Sequence, residues 1–92
     1  MKRLKLLPHS YLFVKEAKSI RGIPDIIMCI NGKFVALETK RSEEEALEKT
    51  GRIVLQRKNL SDIRESKGYS AFIYPENEAD IMQDLWGLAN AS

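Results

Sequence analysis

Residues 22–40 read GIPDIIMCINGKFVALETK, and they contain the strongest local structural pattern in the chain. Two β-prone runs, 25–30 and 33–40, flank the dipeptide Asn31-Gly32. Asn and Gly tolerate the positive φ that a type I′ turn requires at both central positions, and such turns match the twist of paired strands. The stretch therefore predicts a tight β-hairpin.

The two-residue turn also fixes which residues face each other across the hairpin. Partners then have numbers that sum to 63, so that Ile27 faces Ala36 and Asp25 faces Glu38. Side chains alternate between the two faces of a strand, which puts Lys40 on the same face as Glu38 and about 7 Å farther along. The hairpin predicts two neighbouring carboxylates with an amine beside them.

Facing carboxylates repel each other and destabilise a sheet unless a positive charge lies between them. Mg²⁺ prefers oxygen ligands, commonly one or two carboxylates completed by water and substrate phosphate. We expect Asp25 and Glu38 to bind such an ion, with the backbone carbonyl of Thr39 as a further ligand. Lys40 would then orient a water or stabilise charge on a phosphate. The alternative is ordinary surface charge at strand ends, or an ion pair between Lys40 and one acid.

The motif 22–25, the hairpin and the motif 36–40 together resemble the signature of the PD-(D/E)xK nucleases, and most closely its VRR-NUC branch. Further points of similarity are Gly32 before Phe34 in a short hairpin and Gln56 in the following helix. The resemblance covers roughly residues 11–75. It implies an α/β (α+β) fold, with a small restriction-endonuclease-like core in which helices flank a central mixed sheet.

By this resemblance Asp25 and Glu38 are metal ligands, Lys40 is the catalytic lysine and Gln56 is a supporting active-site residue. The cofactor is Mg²⁺ or Mn²⁺. Many relatives add an acidic residue from a longer N-terminal helix, whereas here Glu16 is the first acid in the chain. Whether Glu16, a partner subunit or water completes the metal shell stays open.

The stand-alone, often virus-encoded members of this branch resemble dimeric enzymes that cut branched DNA such as four-way (Holliday) junctions. The resemblance thus implies a homodimeric, metal-dependent endodeoxyribonuclease that hydrolyses phosphodiester bonds in branched DNA. The alternatives are a catalytically silent DNA-binding module and a nuclease subunit that needs a partner chain.

Size and composition limit these possibilities. With 92 residues, 43% hydrophobic, residues 1–92 should form one domain, small enough to make oligomerisation a reasonable expectation. A net charge of +2 neither requires nor excludes nucleic acid. No apolar stretch reaches the roughly 20 residues that span a bilayer, and the N-terminus lacks a signal-peptide core, which predicts a soluble intracellular protein without a membrane partner. The resemblance to virus-encoded members implies the cytoplasm of a bacterium or virus-infected host cell. Cys29, the one cysteine, lies in an apolar run and is expected to be a buried thiol.

The rest of the chain predicts further elements around the hairpin. A short helix or arm is expected at 2–7, a strand at 11–14, a basic loop at 18–22, and a loop or helical turn at 42–49. A helix should run from the N-cap Thr50 to a C-cap at Gly68, followed by a strand at 69–74 and a helix at 76–89. Basic residues before the Asp25 strand and around Gln56 are candidate phosphate contacts, the alternative being a solvated periphery: Lys18, Arg21, Arg52 and Lys58.

Overall fold

The computed structural model of the protein describes residues 2–14 and 23–91. A 3-10 helix at Lys2–Leu6 comes first. Four strands and three α-helices follow, in the chain order β1 (Ser10–Val14), β2 (Ile26–Ile30), β3 (Lys33–Thr39), α1 (Glu43–Ala46), α2 (Gly51–Glu65), β4 (Tyr69–Ile73) and α3 (Glu78–Ala89).

The strands form one open mixed sheet in the order β1-β2-β3-β4. The first three strands are antiparallel neighbours, whereas β4 lies parallel to β3. A parallel neighbour requires a crossover connection, and α2 supplies it. The predicted α+β fold with a central mixed sheet, a hairpin and flanking helices is confirmed.

The hairpin has the predicted turn and register. Asn31 and Gly32 have φ values of 50° and 85°, as a type I′ turn requires. The strand partners run from Ile30 opposite Lys33 to Ile26 opposite Leu37, and every pair sums to 63. Asp25 and Glu38 stand at the next position along this register.

The sheet has two different faces. On one face, which we call the α3 face, alternate side chains of β2, β3 and β4 pack with α3 and the 3-10 helix into the main core. The fully buried members of that core include Ile26, Met28, Ile30, Leu37 and Leu85. On the opposite face, which we call the α2 face, α2 packs over β3 and β4. Glu38 belongs to the α2 face.

Helix α2 begins as predicted but ends earlier. Thr50 accepts a hydrogen bond from the backbone N–H of Ile53, which confirms it as the N-cap. The helix ends at Glu65, and the left-handed residue that terminates it is Lys67 with φ 73°, not the expected Gly68. The N–H groups of Lys67 and Gly68 donate back to Arg64 and Ile63, which is the Schellman pattern.

Gly68 is required for a different reason. A Cβ atom at this position would lie 2.8 Å from Cγ2 of Ile63 and 3.2 Å from the carbonyl oxygens of Ile63 and Phe34. Only a residue without a side chain lets the chain pass this closely between α2 and β3 on its way into β4.

Side chains cap the outer edge of β4. Arg64 Nη1 donates to the carbonyl of Ser70 at 3.3 Å, and Asn77 Nδ2 donates to the carbonyl of Phe72 at 2.9 Å. Asn77 Oδ1 also accepts from the backbone N–H of Tyr74 at 2.9 Å. These bonds occupy edge groups that would otherwise be free to pair with another strand.

Other predictions have mixed outcomes. The segment 42–49 contains the one-turn helix α1, capped by Ser42, and the predicted loop 18–22 lies outside the described residues.

Cys29 was expected to be buried and is exposed, because it points to the part of the α2 face that α2 does not cover. Across the described residues, none of the helices is both long and apolar enough to cross a membrane.

Candidate metal centre

Asp25 lies immediately before the first residue of β2 and is held there by β3. Its Oδ2 accepts a hydrogen bond from the backbone N–H of Thr39 at 2.9 Å and another from the Thr39 hydroxyl at 2.8 Å. Two donors on one oxygen favour the ionised carboxylate and fix its position. The hairpin therefore places a pre-oriented negative charge beside β3.

Glu38 is the acid that the fold buries. Its side chain is 2% exposed, and it lies within hydrogen-bonding reach of Asp25. Burial, and after it the negative charge of Asp25, raise the pKa of Glu38 from 4.5 to about 7. Two acids this close hold one proton between them near neutral pH unless a cation takes its place.

The donor set fits a hard cation. Glu38 Oε1 is buried and has no hydrogen-bond partner in the described part of the chain, and the same is true of Gln56 Oε1. Gln56 lies on the side of α2 that also carries the buried Ile53 and Leu60, which is the side that packs on the sheet. A buried acceptor without a donor is costly, and a divalent ion or its water ligands would satisfy such oxygens.

Lys40 lies on the face of the sheet that the register predicts. Its Nζ is 5.8 Å from the centre of the Phe72 ring, and Phe72 is the β4 partner of Glu38. The ammonium opposes the rise in the pKa of Glu38, so its charge is felt at the carboxyl group. The backbone N–H of Lys40 donates to the carbonyl of Ile73 at 2.9 Å, which anchors the residue to β4.

The described residues hold no group of three or more His, Cys, Asp or Glu side chains that could bind a metal. The site therefore offers two carboxylates from Asp25 and Glu38, and Glu16, the candidate third acid, lies outside the described residues. Thr39 contacts Asp25 through its N–H and its hydroxyl. The role of its carbonyl oxygen as a metal ligand stays a prediction.

Two of the four candidate DNA-contact residues, Arg52 and Lys58, lie in the described part of the chain. Arg52 is exposed on α2, and Lys58 is exposed there and pairs with Asp62 at 3.1 Å. Lys18 and Arg21 lie outside the described residues. The nearby Arg57 instead donates to the backbone carbonyls of Ala46, the last residue of α1, and of Glu48, two residues beyond it, which is a structural role.

Sequence reasoning missed two contributors to the site. The Thr39 hydroxyl was overlooked because strict alternation directs it to the α3 face, yet it donates to the carboxylate of Asp25, just before β2. Phe72 was missed because the parallel register between β3 and β4 is set across a long crossover and leaves no local pattern.

Comparison with protein-family models, with curated proteins and with solved structures gave no match for this chain.

Proposed function

We propose that the protein is a divalent-metal-dependent DNA endonuclease that hydrolyses phosphodiester bonds. One observation carries this proposal: Glu38 is buried against the fixed carboxylate of Asp25, and its Oε1 has no hydrogen-bond partner among the described residues. Lys40 lies on the same face of the sheet. Buried like charges of this kind are a common feature of functional sites. The resemblance to the VRR-NUC branch supports the same chemistry.

Each residue of the site has a role in this proposal. Asp25 and Glu38, with the carbonyl of Thr39, would hold Mg²⁺ or Mn²⁺. When bound, such an ion lowers the pKa of a ligand water and neutralises charge on the phosphate. Lys40 holds a positive charge against the developing charge on the phosphate, and the low-dielectric surroundings of Glu38 strengthen that interaction. The Gln56 amide supports the position of Glu38 or of a ligand water.

The substrate we propose is branched DNA, such as a four-way junction, cut by a homodimer. Two identical sites related by a two-fold axis suit paired incisions across a symmetric junction. Lys18, Arg21, Arg52 and Lys58 are the residues we propose to contact phosphates. These contacts would position the DNA without reading its sequence.

Cleavage of a panel of labelled four-way-junction, flap and linear DNAs tests this proposal. We expect cutting with Mg²⁺ or Mn²⁺, none with EDTA, and a loss of at least about 100-fold in Lys40→Ala. Lys33→Ala is the matched control, because Lys33 is an exposed lysine at the opposite end of the same strand. Cutting that survives EDTA, or that is equally fast in Lys40→Ala, would overturn the proposal.

One observation favours a second candidate, a nuclease subunit that is completed by another chain. The described residues supply only two clustered carboxylates, so that a partner could provide a third ligand. Calorimetric titration with Mn²⁺ separates the candidates. Binding that depends on Asp25 and Glu38 without DNA cleavage supports the subunit, whereas no Mn²⁺ binding with normal DNA binding indicates a catalytically silent module.

A further inference from the structure

Thr39 saturates one oxygen of the Asp25 carboxylate. Asp25 Oδ2 accepts a hydrogen bond from the backbone N–H of Thr39 at 2.9 Å and a second from the Thr39 hydroxyl at 2.8 Å. A carboxylate offers about two lone-pair sites on each of its oxygens, so these two donors occupy Oδ2. A divalent ion at this site would therefore bind Asp25 through one oxygen rather than through both.

The fold holds the Thr39 hydroxyl in place. Thr39 is the last residue of β3, where its partner in β4 is Ile73. The backbone N–H of the next residue, Lys40, donates to the Ile73 carbonyl at 2.9 Å, and this bond fixes the chain directly after Thr39. Branching at Cβ further restricts the side chain to few rotamers. The hydroxyl is therefore a fixed donor that orients Asp25 before any ion binds.

The number of oxygens that a carboxylate presents affects which ion a site prefers. Ca²⁺ takes about six to eight oxygen ligands and often uses both oxygens of one carboxylate. Mg²⁺ requires near-octahedral geometry and keeps several waters, and Mn²⁺ also accepts octahedral oxygen sites. Restricting a carboxylate to one oxygen therefore weakens the binding of Ca²⁺ relative to that of Mg²⁺ or Mn²⁺.

We propose that the Thr39 hydroxyl makes the carboxylate pair selective for Mg²⁺ and Mn²⁺ over Ca²⁺, by keeping Asp25 a one-oxygen ligand. Thr39 is thus a positioning residue, because its side chain acts on the ion through Asp25. This inference rests on the proposed function only in requiring that Asp25 and Glu38 bind the ion, and it does not require DNA cleavage.

Calorimetric titration of the chelator-treated protein with MnCl₂ and, separately, with CaCl₂, without DNA, tests the proposal. Thr39→Val keeps the shape of the side chain and the backbone hydrogen bond to Asp25, and removes the hydroxyl. We expect Mn²⁺ binding to weaken about ten-fold, since groups that orient a metal ligand commonly contribute about 10- to 100-fold in affinity. Ca²⁺ binding should stay within about three-fold or become tighter, because Asp25 can then bind through both oxygens. Thr39→Ser restores the hydroxyl and should recover the preference for Mn²⁺.

Thr50→Val is the matched control, since it makes the same change at the other threonine of the chain. The Thr50 hydroxyl accepts from the backbone N–H of Ile53 at the start of α2. This variant should therefore lose stability in urea and keep the wild-type preference for Mn²⁺ over Ca²⁺. Circular dichroism establishes that each variant is folded.

Several results would count against the role of Thr39. They are a wild type that binds Ca²⁺ as tightly as Mn²⁺, a Thr39→Val variant with the wild-type preference or an equal loss for both ions, and a Thr39→Ser variant that does not recover. A wild type that binds neither ion would overturn this proposal together with the metal-dependent nuclease. DNA cleavage is assayed separately. Ion binding that responds to Thr39 as expected, without cleavage, counts against the nuclease alone, whereas metal-dependent cleavage with an ion preference that ignores Thr39 counts against the role of Thr39 alone.

Discussion

The replacement of Glu38 by glutamine tests the electrostatic account of the site most directly. In the folded protein Glu38 is buried against Asp25, whereas in the unfolded chain it is solvated and far from that charge. Glu38→Gln keeps the size and polarity of the side chain and removes its ionisation. If the burial of a charge is costly here, the variant should be more stable than the wild type at high pH, in the absence of divalent ions.

The magnitude follows from the pKa. Raising the pKa of Glu38 from 4.5 to about 7 corresponds to a cost of about 3 kcal/mol for its ionised form in the folded protein. Because the folded state binds this proton more tightly, the cost is absent below pH 4.5, grows as pH rises, and is complete above pH 7. We expect Glu38→Gln to match the wild type at pH 4 and to exceed it by about 2–3 kcal/mol at pH 8.

Urea denaturation in EDTA at a series of pH values measures this difference. Glu65→Gln, an exposed glutamate at the end of α2, is the control and should show a nearly constant difference from the wild type. Mg²⁺ should then stabilise the wild type at pH 8 more than the Glu38→Gln variant, because the ion binds the ionised pair. An equal stability difference at pH 4 and pH 8 would refute the reasoning, since Glu38 would then carry no burial cost.

Three further changes probe other parts of the structure. Gly87→Ala should raise the free energy of unfolding by about 0.5–1 kcal/mol, because Gly87 lies inside α3 and no described atom is within 4 Å of the added Cβ; a loss of stability in urea would contradict this. Asn77→Ala should lower the free energy of unfolding by about 1–2 kcal/mol, because it removes two 2.9 Å hydrogen bonds at the edge of β4. An unchanged free energy of unfolding would show that water replaces these bonds. Phe72→Leu should reduce kcat about two- to five-fold with unchanged KM for DNA, because the ring positions Lys40. Phe72→Tyr should retain kcat, and an equal loss in both variants would argue against a role for the ring.

The part of the site that lies within the hairpin could be predicted from the sequence. The Asn31-Gly32 turn fixes the register without any tertiary information, and that register brings Asp25 to Glu38. The face on which Lys40 lies follows from alternation alone. Residues this close in sequence meet through local geometry, which is why the prediction was specific.

The features that depend on packing between distant elements could not be predicted. The partnership of Phe72 with Glu38 requires the parallel register across the whole of α2. The exposure of Cys29 depends on how far α2 extends over the sheet, because an apolar run alone does not reveal which strand face is covered. The end of α2 was misplaced because Lys67 adopts the left-handed conformation that glycine usually provides.

The side chains that cap the outer edge of β4 restrict how the sheet can grow. Arg64 and Asn77 occupy carbonyl groups that an incoming strand would need, so that strand addition is directed to the β1 rim. If two chains pair through their β1 edge strands, the combined sheet has a capped β4 at each of its two edges. Continuous growth of a fibre requires two free edge strands on each molecule, and this chain is therefore protected against polymerisation through its own sheet.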